Sequence, residues 1–150
     1  NTCLIPNGFC SMGQPLPGLI GARLARPASR CVAVCGDGDF LMNVQEMETI
    51  ARLGLDVPDV VWEDREYGLI SWKQQAEFGR HTDLSFSSPA WNGLAGAFGW
   101  RGERVENARD FAPSLARALG HPGPSLLVAT VDYRENMRLT ERLGELTCRI

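Results

Sequence analysis

The stretch Cys31-Val32-Ala33-Val34-Cys35-Gly36-Asp37-Gly38 decides the fold. Its first five residues are apolar and partly β-branched, the composition of a strand buried in a parallel sheet. The run stops at Gly36-Asp37-Gly38, where two glycines flank an acid. A segment of helical period follows, with Phe40, Val44, Met47 and Ala51 on one face and Glu48 paired with Arg52 on the other. Residues 57–62 form a second apolar run, which ends in Glu63-Asp64-Arg65-Glu66-Tyr67-Gly68-Leu69. The order is strand, acidic glycine turn, helix, strand, acidic turn.

Parallel strands joined by one helix bring both carboxyl ends to one edge of the sheet, the edge at which open α/β folds bind ligands. Asp37 and Asp64 are therefore expected on one rim. Two carboxylates, glycines that let backbone N–H groups approach, and a nearby helix start suit a hard cation that holds a phosphate group. Gly-Asp-Gly alone reads more readily as a tight turn with a solvated aspartate, and it is the longer pattern with Asp64 and Tyr67-Gly68 that lifts it above that reading. No third glycine completes a dinucleotide fingerprint after Gly36 and Gly38.

The flanking chain alternates in the same way. Residues 2–5 are expected as an incoming strand, Pro6-Asn7-Gly8 as a turn, and residues 9–13 as a small-residue loop. Leu16, Leu19, Ile20 and Leu24 predict a helix over 15–25, with its prolines in the first turn. Gly18 and Gly21 in that helix are expected to allow close helix–strand packing. Beyond the second acidic turn the pattern predicts a helix over 70–77 and a loop over 78–83. A helix over 89–98 carrying Trp91, Leu94 and Phe98 and a strand over 101–105 come next. Then follow a helix capped by Asp110 and closed by Gly120, a strand over 125–131 and a surface helix over 137–146. The expected class is α/β, a parallel sheet with helices on both faces.

A chain of 150 residues is one domain with room for a sizeable core. Its net charge of -3, with no basic cluster, argues against nucleic acid as a partner. No apolar run reaches membrane-spanning length, so the expected location is the cytoplasm and no membrane partner is expected. The cysteines Cys3, Cys10, Cys31, Cys35 and Cys148 lack metal-site spacing, and Cys31 and Cys35 are expected to be free buried thiols.

Gly36-Asp37-Gly38 with Asp64 and Tyr67-Gly68 resembles the thiamine-diphosphate motif of the thiamine-dependent decarboxylase and carboligase superfamily. The likeness is greatest to the acetolactate synthase family, catalytic subunit. It runs from Asn1-Thr2-Cys3-Leu4-Ile5 through Ser11-Met12-Gly13 to Val131-Asp132-Tyr133-Arg134-Glu135-Asn136-Met137. The resemblance implies a thiamine-diphosphate-binding fold and the cofactors thiamine diphosphate and Mg²⁺. It makes Asp37 and Asp64 side-chain metal ligands and the Glu66 carbonyl a third.

It also places Gly36 in the diphosphate turn and directs the backbone N–H groups of Gly38, Gly68 and Leu69 at the diphosphate. Asp39 stands where the family has serine or glycine, beside the phosphates. In the loop before the first helix, the resemblance implies that the Cys10 carbonyl and the Met12 N–H would cradle the aminopyrimidine ring. Tyr67 and Trp72 flank the turn, the segment 69–83 helps to shape the acceptor pocket, and Lys73, Arg80 and His81 are each weighed as carboxylate partners against plain surface positions.

The implied activity is decarboxylation of pyruvate and carboligation to a second 2-oxo acid. A related decarboxylase, carboligase or pyruvate oxidase is an alternative, as is a degenerate binding module, which Asp39 and the buried-strand acid Asp59 favour. The chain is expected to be the C-terminal part of a longer enzyme, without the first strand–helix unit of its fold. The partner would be a pyrimidine-binding domain, from another subunit of a homo-oligomer. Proton transfer would belong to that domain, so none of the catalytic acids lies here and the isolated segment is expected to be inactive.

Overall fold

In the computed structural model, which describes residues 3–135, ten elements follow one another. They are α1 (Pro15–Ala25), β1 (Ala33–Gly36), α2 (Asp37–Met42), α3 (Glu46–Arg52), β2 (Pro58–Glu63), α4 (Gly68–Phe78), α5 (Trp91–Ala97), β3 (Arg101–Val105), α6 (Ala108–Leu119) and β4 (Ser125–Thr130). The four strands form one sheet of order β1-β2-β4-β3, and every pairing is parallel. Gly36 is level with Trp62, and Glu63 with Thr130, so the ends of β1, β2 and β4 share one rim.

Alternation along the strands divides the core in two. Ala33, Cys35, Val61, Leu126 and Val128 face α1, α2, α3 and α5 and pack against Leu16, Leu19, Phe40, Met47, Ile50, Trp91 and Ala95. Val60 and Leu127 point the other way, against Phe111, Leu115 and Ala118 of α6. Burial on both faces is why β2 and β4 read as nearly continuous apolar runs. β1 is an edge strand, and Val34 on its α6 side stays half exposed.

Several expectations are corrected. Residues 3–6 are irregular and join no strand, with Leu4 and Ile5 exposed, because the described sheet ends at β1. The helix after Gly38 is two short helices, broken at Asn43, whose φ of -132° is not helical. The apolar period continues across the break and conceals it. Asn107, with extended backbone, is the N-cap of α6, and Asp110 accepts from its side-chain amide within the first turn. A Cβ on Gly21 would meet nothing within 4 Å, and one on Gly18 would meet the Gln14 side chain, so neither serves helix–strand packing. Cys35 is buried, Cys31 only partly. Cys148 and the expected helix over 137–146 lie outside the described residues.

Candidate functional site

β1 passes straight into α2, with Gly36 in extended conformation as N-cap and Asp37 as the first helical residue. This turn buries Asp37 to 1% exposure at the rim. Its Oδ1 accepts from the Gly38 N–H at 2.8 Å and its Oδ2 from the Arg65 N–H at 2.8 Å. The second contact ties the end of β1 to the loop after β2. Arg65 is there in left-handed backbone, φ 63°, a conformation that costs a non-glycine residue about 1–3 kcal/mol and that the Asp37 bond helps to hold. A carboxylate offers about four lone-pair directions, so each Asp37 oxygen retains accepting capacity.

Asp64 comes next to it from β2. Its Oδ1 receives the Glu66 N–H at 3.4 Å, and its Oδ2 lies against Gly68, where a Cβ would stand 3.2 Å away. Burial raises the Asp64 carboxyl above its ordinary value, and the charges of Asp37 and Glu66 add to the rise against the opposing Glu66 N–H. Such repulsion between a buried carboxylate and a half-buried one is relieved by a cation. No cluster of three or more His, Cys, Asp or Glu side chains capable of holding a metal occurs among the described residues, so further ligands here would be backbone or exogenous oxygens.

The loop supplies one such oxygen. Glu66 forms an antiparallel bridge with Ser85, in which Phe86 N–H donates to the Arg65 carbonyl and Tyr67 N–H to the Leu84 carbonyl. That ladder bypasses the Glu66 carbonyl. Above Gly38 stand the rings of Tyr67 and Phe86, 5.0 Å apart, and a Cβ at Gly38 would meet Tyr67 Cε1 at 2.9 Å. Only glycine fits there. Gly68 and Leu69 open α4, and Leu69 is exposed.

The loop before α1 carries Cys10 in left-handed backbone, φ 48°, its N–H bonded to the Pro6 carbonyl. Cys10 and Arg65 are the two non-glycine residues with positive φ among those described, and each lies in a loop singled out from the sequence. Met12 is exposed, and Gly13 after it is bonded to Asp39. The Asp39 carboxylate thus faces the Cys10–Met12 loop. Lys73, Arg80 and His81 are all exposed, and His81 Nδ1 lies 2.8 Å from the neighbouring Thr82 carbonyl.

Three contributors to the rim were given no role in the sequence reading. Tyr133 follows β4, stacks edge-on against Trp72 at 6.0 Å, and has its hydroxyl pKa raised by burial and then by the charges of Asp64 and Asp37. Asn43 holds Gly13 through its carbonyl. Glu63, 1% exposed at the end of β2, receives Trp91 Nε1 at 2.8 Å and Arg104 Nη2 at 2.5 Å, and Arg104 also reaches Thr130 Oγ1. Burial alone would push the Glu63 carboxyl up, but Arg104, Ser88 and Trp91 together outweigh it and hold it at about 2. No signal short of tertiary structure links those partners.

Glu63 joins α5, β3 and β4 immediately before the Asp64 turn. Glu63→Gln is expected to destabilise the fold by about 2 kcal/mol above pH 5, the scale of a hydrogen bond to a charged group. Because the folded carboxyl is held low, this contribution is present above the ordinary carboxylate value and is lost as pH falls through about 2. Amide exchange of β2 in variant and parent measures the difference; equal protection at pH 7 would remove Glu63 from this role.

Comparison with known proteins gives the site its context. Residues 1–129 match the family described as thiamine pyrophosphate enzyme, C-terminal TPP binding domain. The catabolic acetolactate synthase of Raoultella terrigena is 36% identical over 140 residues, covering 93% of this chain and 25% of that one. The acetolactate synthase of Bacillus subtilis is 33% identical over 150 residues, covering 97% and 26%. The thiamine diphosphate-dependent 4-hydroxybenzoylformate decarboxylase of Rhodococcus jostii RHA1 superposes with a TM-score of 0.76 at 25% identity, over 83% of this chain and 24% of that one. This chain spans about a quarter of the length of these relatives. The parallel sheet, the two acidic turns at its rim and these matches together place the chain in the thiamine pyrophosphate enzyme family, as a C-terminal TPP-binding domain like that of the acetolactate synthases.

Proposed function

We propose that the rim anchors the diphosphate of thiamine diphosphate through Mg²⁺, as the cofactor-holding part of an acetolactate synthase-like enzyme. The observation that carries this reading is the pair of carboxylates at the ends of adjacent strands, Asp37 held in place by the Gly38 and Arg65 N–H groups and Asp64 with its pKa raised beside it. These residues fit the group: two carboxylate ligands and the bypassed Glu66 carbonyl offer oxygens, and Mg²⁺ takes six, leaving places for diphosphate and water. Near them, the start of α4 presents the unpaired N–H groups of a helix N-terminus, which Gly68 and Leu69 would turn to the phosphates.

The Gly38 N–H donates to Asp37, so its part would be to orient that ligand rather than to contact phosphate. At the other end, Cys10 and Met12 would hold the aminopyrimidine through their backbone. When bound, the cofactor supplies the electron sink for decarboxylating a 2-oxo acid such as pyruvate and joining the product to a second one. This chain's residues bind and orient, and the proton transfers fall to a pyrimidine-binding domain, which we place in another subunit of a homo-oligomer. The exposed apolar residues Leu4, Ile5, Phe9 and Met12 supply a face for such a contact.

A degenerate module is the less favoured reading, because the Asp39 carboxylate is occupied by Gly13. Calorimetric titration of the intact natural polypeptide tests the function. Thiamine diphosphate is expected to bind in the presence of Mg²⁺ and to lose most of its affinity in excess chelator. Equal binding in both conditions would overturn the metal assignment, and no binding in either would overturn the cofactor itself.

A further inference from the structure

Gly13 is gripped from both sides of its backbone. Its N–H donates to Asp39 Oδ1 at 2.5 Å, and its carbonyl accepts from Asn43 Nδ2 at 2.7 Å. Both partners belong to α2 or its end: Asp39 is a helical residue and Asn43 is the C-cap. Gly13 itself has φ 87°, and a Cβ added there would meet Asn43 Nδ2 at 2.6 Å and Met42 Cβ at 3.2 Å. Positive φ and a filled approach together demand glycine. Three features therefore converge on one short contact between the loop before α1 and the helix that starts at the metal turn.

The positions concerned are telling. Gly13 directly follows Met12, the last residue of the aminopyrimidine cradle, and Asp39 directly follows Gly38 of the metal turn. We propose that Asp39 and Asn43 are positioning residues: together they clamp Gly13 and fix the span between the two cradles that receive opposite ends of one cofactor. The inference rests on the cofactor reading above. It explains how an acid is tolerated beside a diphosphate site. The Asp39 carboxylate accepts the Gly13 N–H, so that part of its hydrogen-bonding capacity faces the opposite cradle.

A clamp of this kind has a specific signature, because it acts on a ligand that bridges both ends and is indifferent to one that occupies the rim alone. Asp39→Ser shortens the reach to Gly13, and Asn43→Ala removes the second arm. Each is expected to weaken Mg²⁺-dependent binding of thiamine diphosphate about tenfold, the scale of losing a group that orients a ligand-holding element. Binding of inorganic diphosphate with Mg²⁺ should remain at the parent's affinity. Asp39→Asn keeps an acceptor for the Gly13 N–H and is expected to restore parent-like binding of both. Amide exchange at Gly13 in the cofactor-free polypeptide gives a readout independent of loading, with protection reduced in Asp39→Ser and kept in Asp39→Asn.

Tighter binding of both ligands in Asp39→Ser and Asp39→Asn would show that the carboxylate repels the phosphates, and would overturn the clamp. Equal losses for both ligands would make the two residues merely structural and overturn it as well. A parent that binds inorganic diphosphate and thiamine diphosphate with equal affinity would remove the second cradle, and the inference with it. A parent that binds neither ligand overturns the cofactor reading itself, an outcome distinct from every change seen only in the variants.

Discussion

Asp37→Ala is expected to abolish Mg²⁺-dependent binding of thiamine diphosphate. The loss should exceed ~100-fold, the upper range for removing groups that only orient a ligand, because under the proposed assignment a metal ligand itself is removed. Two effects act together. Of the proposed ligand carboxylates only Asp64 remains, and the Arg65 N–H loses the acceptor that holds its left-handed backbone next to Glu66. The metal would thus lose one side-chain oxygen, and the loop bearing the two other proposed ligands would lose its tether. Asp64→Asn provides the contrast. It keeps an oxygen at the ligand position and removes the repulsion from Asp37 that helps to raise the Asp64 carboxyl, so affinity should stay within a few-fold of the parent. Calorimetry on the intact polypeptide at pH 7 compares the three proteins. Parent-like binding by Asp37→Ala would mean that the diphosphate is anchored elsewhere.

The rim was legible in the sequence because it depends on topology more than on contacts. Strands buried on both faces leave long apolar runs, and parallel strands joined by helices end on one edge, so Asp37 and Asp64 had to meet. The same reasoning could not reach Asp39. Its partner Gly13 is 26 residues away on the far side of α1, and nothing in the local pattern pairs them. Glu63 was hidden for a similar reason, since Trp91, Arg104 and Thr130 arrive from three separate elements. An acid at the end of an apolar run reads as solvated until the groups that bury it are seen.

Misread elements have local causes. The period from Phe40 to Met47 is maintained through two helices because both bury the same face, so the break at Asn43 leaves no trace in the hydrophobic pattern. The break has a use: it turns the Asn43 side chain to the Gly13 carbonyl. At α6, Asn107 and Asp110 are both good caps by residue type. Backbone decides between them, as Asn107 has the extended angles of a cap and Asp110 lies inside the first turn. Leu4 and Ile5 have strand composition, but a strand needs a neighbour, and β1 pairs only with β2 among the described residues.

Asp59 carries the other large effect, and it concerns stability rather than binding. It lies in β2, 0% exposed, on the face that packs against α1, α2 and α3, level with Ala33 and Leu126. The Cys35 thiol donates to its Oδ1 at 3.4 Å, while Oδ2 has no partner. Burial pushes its carboxyl up to about 7, outweighing the thiol's hydrogen bond, and the charge of Asp39 adds to the rise. The neutral acid is therefore the form that the fold accepts. At a pH below the unfolded value of 3.8 both states are neutral and the site costs nothing from ionisation. As pH climbs, the unfolded chain gains the benefit of ionising and the folded chain does not, until about 7. The gap corresponds to ~4 kcal/mol of stability lost by pH 8.

Asp59→Asn keeps the shape and cannot ionise, so it should match the parent below pH 3.8 and exceed it by ~4 kcal/mol at pH 8. Cys35 should not substitute for the missing charge, because burial, the largest influence on its thiol, by itself raises the pKa and keeps it protonated. Amide exchange of β1 and β2, compared between variant and parent at each pH, reads the difference directly. In strands whose exchange requires global opening, the ratio should approach a thousandfold at pH 8 and fall towards unity below pH 3.8. A ratio independent of pH would show that Asp59 ionises as readily in the folded chain as in the unfolded one.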